Sequence, residues 1–283
     1  MIIAVASGKG GTGKTTVATS LALALSAHVP IFFLDADVEA PNAHLMLKPS
    51  LCFSQDAALP IPAINEALCT HCGVCAEVCQ YQALAVTGQR VLVFPEMCHG
   101  CGSCALNCPS DAIREVPHAV GTLESGTTPE GIRFARGVLN VGEALAVPVI
   151  RQLRASHAAL PGETIVIDVP PGTSCPVVEA VRGADFVILV TEPTPFGLHD
   201  LQLAHELTSE LGLPAGVVIN RDGIGDQRVD EFCAREGLPV LLRIPLDREI
   251  AAGIARGIPL VVLKPEYESH FQQLFQVVTG VYL

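Results

Sequence analysis

Residues 69–79 read CTHCGVCAEVC, and residues 98–108 read CHGCGSCALNC. The spacing Cys-x2-Cys-x2-Cys-x3-Cys thus occurs twice. The likeness runs past the thiols, because Cys79-Gln-Tyr-Gln-Ala-Leu matches Cys108-Pro-Ser-Asp-Ala-Ile, which marks an internal duplication. Two such runs are what a pair of [4Fe–4S] clusters requires: three thiolates wrap one face of a cube and the fourth arrives from a distance. Zinc is the rival, but it prefers one Cys-x2-Cys pair from each of two loops.

The rest of the chain is long enough for one large α/β domain beside a small module, at 283 residues with 49% hydrophobic and 16% charged. No apolar run reaches the roughly 18–20 residues of a membrane helix, so no stable membrane insertion is expected. The net charge of −12, with 29 acidic against 17 basic residues, argues against non-specific nucleic-acid binding and leaves no nucleic-acid partner in view. The opening MIIAVASGKGG lacks the charged and apolar regions of a signal peptide. With eight of eleven cysteines in ligand spacing, a reducing cytoplasm is the consistent compartment.

Residues 1–6 read as a short apolar strand, and a helix from about Lys14 to Ala27 buries Val17, Leu21, Leu23 and Leu25. A second strand, 31–35, ends in Asp35-Ala36-Asp37. Residues 50–65 contain Pro60 and Pro62, show no period, and read as a linker. Arg90–Phe94 is strand-like, and 118–145 reads as a β extension. From there strands at 164–168, 186–191, 216–220 and 239–244 alternate with helices at about 142–155, 175–182, 198–211, 226–236 and 247–256. A last helix, Glu266–Val278, puts Phe271, Leu274, Phe275 and Val278 on one face, as core. Continuous apolar strands alternating with helices predict an α/β fold, a parallel sheet with helices on both faces. The expected domains are a discontinuous one, 1–50 with 118–283, and an inserted α+β module, 60–117.

Gly8-Lys9-Gly10-Gly11-Thr12-Gly13-Lys14-Thr15-Thr16 satisfies G-x-x-x-x-G-K-T between a strand and a helix. Its glycines let backbone N–H groups of Gly10, Gly11, Thr12, Gly13 and Thr16 wrap phosphate oxygens, and the helix N-terminus adds its dipole. Lys14 is placed for the β- and γ-phosphates and Thr15 for Mg²⁺. The loop KGGTGKTT resembles the deviant Walker A loop of the MinD/ParA family of P-loop ATPases, which also includes the nitrogenase iron protein and Mrp-type cluster carriers. That resemblance covers essentially the whole chain and implies a P-loop NTPase fold. It makes Lys9 the residue that crosses a dimer interface to the partner's nucleotide, against the plainer reading of a solvated loop lysine. Asp35-Ala36-Asp37 resembles the family's switch I, which implies that Asp37 orients the attacking water and that Asp35 helps hold the Mg²⁺ shell. Asp168-Val-Pro-Pro-Gly172 resembles switch II, which implies that Asp168 holds Mg²⁺ through water and that Gly172 brings its N–H to the γ-phosphate. Asp35 and Asp168 also suit helix caps. For Asn220 the resemblance implies a hydrogen bond to adenine, although a turn residue fits too. Asp247, in the family's second base-contacting segment, fits a helix N-cap better than a ligand.

The Cys runs resemble those of two-cluster ferredoxins, in which the fourth Cys of each run serves the other cluster. Carried over, cluster I takes Cys69, Cys72, Cys75 and Cys108, and cluster II takes Cys79, Cys98, Cys101 and Cys104. The usual Pro follows Cys108 but Gln80 follows Cys79. Of the remaining cysteines, Cys233 reads as core, Cys52 has no partner motif, and Cys175 reads as a buried thiol rather than a ligand. His71 and His99 suit either hydrogen bonds to cluster sulfurs or loop filler. The resemblance therefore implies a slow, partner-dependent ATPase binding ATP/ADP, Mg²⁺ and two [4Fe–4S] clusters. It would dimerise with itself or a paralogue and serve a redox or metallocofactor partner. Three functions remain: a nucleotide-controlled electron carrier, a cluster or metallocofactor assembly factor, and a positioning ATPase, which the lack of a basic amphipathic tail weakens.

Overall fold

The computed structural model describes residues 1–156 and 160–280. Its elements, in chain order, are β1 (Ile2–Ala6), α1 (Lys14–Leu25), β2 (Ile31–Asp35), α2 (Ala43–Leu47), β3 (Ser50–Ile64), α3 (Val74–Glu77), β4 (Leu84–Thr87), β5 (Arg90–Val93), a 3₁₀ turn (Pro95–Met97), α4 (Ser103–Leu106), β6 (Ile113–Thr127), β7 (Arg133–Leu139), α5 (Ala146–Ala155), β8 (Thr164–Asp168), α6 (Cys175–Val181), β9 (Phe186–Thr191), α7 (Pro195–Glu210), β10 (Ala215–Asp222), α8 (Arg228–Glu236), β11 (Val240–Pro245), α9 (Arg248–Ala255), α10 (Leu260–Leu263) and α11 (Glu266–Thr279). They divide into two compact units: 1–54, 123–138 and 150–283 in the larger, 55–122 and 139–149 in the smaller.

The sheet order is β11-β10-β9-β1-β8-β2-β7-β6-β3. The pairs β1–β8, β1–β9, β2–β8, β2–β7, β9–β10 and β10–β11 are all parallel. Parallel strands need both faces covered, and the burial pattern meets that need. Ile3, Val5, Phe33, Val166, Ile188 and Val218 pack with Val17 and Leu21 of α1 and with Phe271, Leu274 and Phe275 of α11. The alternate residues Ala4, Phe32, Leu34, Ile165, Ile167 and Leu189 are buried too, as are Leu153 of α5, Val177 of α6 and Leu201 of α7. Phe33 and Phe134 stack at 5.9 Å between ring centroids. Leu23, expected in the core, is only half-buried.

The stretch 50–65 is not a linker. It forms the fifteen-residue strand β3, at the end of the sheet order. Its first seven residues are exposed, so no alternation marks it, and an edge strand tolerates Pro60 and Pro62 because it has ladder N–H groups to spare.

In the smaller unit β4 and β5 pair antiparallel, from Leu84↔Val93 to Thr87↔Arg90. The duplication repeats in the backbone. Gly73 and Gly102 precede α3 and α4 in the left-handed region, at φ 85° and 72°. His71 and Gly100 share that region, as do Gln82 and Asp111. Each pair occupies matching places in the two runs.

Phe271 is fully buried in the larger unit's core. Phe271→Ala is expected to lower that unit's unfolding free energy by about 3–5 kcal/mol, read from denaturant melts against wild type.

Candidate nucleotide and thiol sites

The loop between β1 and α1 follows the demands of an anion site. Gly11 and Gly13 take φ values of 79° and 98°. Gly13 caps α1 without a side-chain hydrogen bond, which leaves the helix's first N–H groups open to an anion. A Cβ on Gly13 would stand 2.3 Å from Asn220 Nδ2, so glycine is required there. Gly10 and Gly11 are exposed, whereas Thr12, Lys14 and Thr16 are buried and Thr15 half-buried. Thr12 Oγ1 is buried with no hydrogen-bond partner.

Two carboxylates sit in register at the ends of neighbouring strands, Asp35 on β2 and Asp168 on β8. Both side chains are fully buried. Asp168 Oδ2 accepts from Thr15 Oγ1 at 2.6 Å, and its Oδ1 has no partner among the described residues. An unpartnered buried carboxylate oxygen beside a Thr hydroxyl suits a magnesium ion and its waters. Burial pushes the Asp168 carboxyl up to about 7, against the opposing pull of Thr15 and Lys14. Burial, and then the charge of Asp168, raise Asp35 well above the ordinary carboxylate range. Asp35 is already engaged with its own chain: Asp37 N–H donates to Oδ1 at 3.3 Å and Ala43 N–H to Oδ2 at 3.0 Å. It thereby holds the loop that carries Asp37. Asp37 is half-buried at the cleft, raised by burial and drawn back by Lys14. Lys9 lies 3.9 Å from Asp200 of α7.

A cleft of about 590 Å³ is lined by the glycine-rich loop from Gly10 to Thr16 and by Asp37, together with Asn220, Arg221, Leu246, Ile250 and Ile254. Asn220 is occupied at both ends, because Nδ2 donates to the Thr12 carbonyl at 2.7 Å and Oδ1 accepts from Arg221 N–H at 2.9 Å. Gly172, at φ 98°, donates its N–H to the Ser7 carbonyl at 3.0 Å. Asp247 caps α9, its Oδ1 accepting from Glu249 N–H at 2.7 Å. Arg221 and Glu192 went unread in the sequence, since no motif ties two residues so far apart.

The smaller unit gathers its thiols into two sets. Cys69, Cys72 and Cys75 line one pocket with Cys108, and Cys98, Cys101 and Cys104 line the other with Cys79. Matching backbone donors serve the fourth thiol of each run: Ala83 N–H to Cys79 Sγ and Ala112 N–H to Cys108 Sγ, both 3.3 Å. Burial pushes the Cys75, Cys98 and Cys104 thiols up. His99 stacks on Tyr81 at 3.7 Å beside the second pocket, and His71 meets Glu66 at 3.1 Å. Of the remaining cysteines, Cys233 is buried in α8. Cys175, expected to be buried, is exposed at the first position of α6.

A carboxyl raised from its ordinary 3.8 to about 7 binds its proton more tightly in the folded state. Its contribution to stability is present below about pH 4 and is lost as pH rises towards 7. In nucleotide-free protein, Asp168→Asn should therefore melt higher than wild type, with a gap that widens between pH 5 and pH 8. A gap constant with pH would contradict this account.

The family model for the CobQ/CobB/MinD/ParA nucleotide binding domain (CbiA) matches residues 3–260. An uncharacterised protein of Methanocaldococcus jannaschii is 30% identical over 282 residues, covering 98% of this chain and 95% of its own length. The iron-sulfur cluster carrier protein of Synechocystis sp. is 25% identical over 287 residues, covering 95% of this chain and 66% of that protein. Among solved structures, the septum site-determining protein MinD of Pyrococcus horikoshii, complexed with Mg-ADP, matches the fold with a TM-score of 0.59 at 22% identity, covering 99% of this chain and 96% of that one. Among the described residues, no helix is long and apolar enough to cross a membrane. With the family model matched across most of its length and a relative 30% identical over nearly all of it, the chain belongs to the CobQ/CobB/MinD/ParA nucleotide-binding domain family.

Proposed function

We propose that the protein is a dimeric ATPase switch that couples nucleotide state to electron transfer through two [4Fe–4S] clusters, in an inserted ferredoxin-like module. The observation that carries this reading is the sorting of eight thiols into two pockets, each with three cysteines from one run and one from the other. The ligand sets are Cys69, Cys72, Cys75 and Cys108 for one cluster, and Cys79, Cys98, Cys101 and Cys104 for the other. Among the described residues no group of His, Cys, Asp and Glu is placed to hold a single metal ion. A single zinc would draw its ligands to one point, whereas a cube asks for thiols spread around a body of its own size. Each bound cluster supplies a one-electron site.

At the nucleotide site, Lys14 neutralises β- and γ-phosphate charge, and Thr15 and Asp168 would hold Mg²⁺, with Asp35 helping to hold its shell. The N–H groups of Gly10, Gly11, Thr12, Gly13 and Thr16 cradle the phosphates, and Asp37 orients the attacking water. The reaction is ATP plus water to ADP plus phosphate, with catalysis by positioning and charge. Gly172 exchanges its bond to Ser7 for one to the γ-phosphate. Lys9 leaves Asp200 and reaches the partner subunit's nucleotide. Asn220 keeps Thr12 in place and edges the adenine.

A second reading, delivery of clusters to a client, draws support from the name of the Synechocystis relative. A third, a positioning ATPase, has only likeness of fold behind it.

Anaerobic purification is expected to give a brown protein with iron and sulfide in equal amounts and two reduced-state EPR signals. Cys69→Ser should remove one signal and leave ATP binding intact. Lys14→Ala should abolish nucleotide binding, and Asp37→Ala should bind ATP yet hydrolyse it about 100-fold more slowly. Colourless protein holding zinc overturns the redox reading. Iron and sulfide passing to an apo-acceptor during ATP turnover replaces it with the second.

A further inference from the structure

The end of β10 places two successive side chains on the phosphate loop. Asn220 Nδ2 donates to the Thr12 carbonyl at 2.7 Å, and Arg221 Nη2 donates to the Gly11 carbonyl at 3.2 Å. In a trans peptide plane the C=O and the N–H point to opposite edges. Fixing the Gly11 carbonyl therefore fixes the Thr12 N–H in the reverse sense, and fixing the Thr12 carbonyl does the same for Gly13 N–H. Among the described residues, neither of these N–H groups donates to a protein acceptor.

Arg221 is held for this task by an unusual backbone and by a second anchor. It takes φ 53°, a left-handed value that a side chain of this size seldom adopts. The β10–β11 register shifts between Asn220 and Asp222, around Arg221. Arg221 Nη1 meets Glu192 Oε1 at 2.6 Å, and the Glu192 side chain is only 8% exposed. The guanidinium thus bridges a buried carboxylate and the loop, using two nitrogens of its rigid fork.

We infer that Arg221, anchored by Glu192, is a positioning residue for the phosphate cradle. With Asn220 it clamps two adjacent carbonyls, so that the Thr12 and Gly13 N–H groups stand presented before the nucleotide arrives. The inference rests on the nucleotide-binding reading above. It deepens that reading, because it assigns the loop's preorganisation to a residue outside the motif.

Titration calorimetry of the full chain with Mg-ATP and with inorganic pyrophosphate tests it. Arg221→Gln should weaken both ligands in parallel, by about tenfold, the equivalent of one charged hydrogen bond. Arg221→Lys, which can reach one acceptor but not both, should fall between. Glu192→Gln should move both ligands the same way, and the Arg221→Gln/Glu192→Gln double variant should be no weaker than Arg221→Gln alone. Wild-type affinity for both ligands in Arg221→Gln overturns the inference. So does loss of ATP affinity with pyrophosphate affinity kept, which would make Arg221 a base or sugar contact. Should Arg221→Gln fail to fold, wild-type affinity in both Arg221→Lys and Glu192→Gln is the overturning result. Lys14→Ala separates the two levels: if it binds both ligands at full strength, the nucleotide reading falls and takes this inference with it.

Discussion

Two carboxylates buried side by side at the ends of β2 and β8 set the terms for the rest of the larger unit. Asp35 and Asp168 sit in register with no exposed surface, and burial raises both. Such a pair is costly unless neighbours share its charge. Asp35 meets the cost through two backbone N–H groups and in doing so fixes the loop bearing Asp37. Asp168 is satisfied on one oxygen by Thr15 and left open on the other. Lys14 draws Asp168 back only in part. Among the described residues this edge therefore keeps one buried carboxylate oxygen, Asp168 Oδ1, without a hydrogen-bond partner.

The parts of this arrangement visible in the sequence are those carried by local spacing. The phosphate loop, the strand-end aspartates and the duplicated cysteine run all announce themselves within a dozen residues. Continuous apolar strands such as 31–35 and 186–191 read cleanly because both their faces are covered. Strand β3 did not, since its exposed half carries no alternation and its other half carries two prolines. The helices α2 and α10 hold five and four residues, too few to display a helical period. The partnership of Arg221, Glu192 and Gly11 joins three distant segments through a single bulge, and no residue spacing encodes it. Cys175 is exposed because it opens α6, whose burial begins only at Val177.

The smaller unit rests on a different balance. Its apolar cluster is built from Cys75, Leu84 and Cys104, with only half-buried neighbours such as Ile64, Val86 and Ile113 around them. Two of that cluster's three buried members are thiols, and the unit buries Ala57, Leu59, Ala83, Ala112 and Val120 besides.

The exchanged thiol has one more implication. Half of the duplicated stretch, taken alone, would offer three sulfurs to one pocket and a fourth to none. Two identical halves about a twofold axis would complete both pockets at once, each lending the other its last cysteine. The present chain keeps that mutual loan within one covalent strand. Loss of either cysteine run would therefore strip three thiols from one pocket and the fourth from its twin, although the two flanks differ at Gln80 and Pro109.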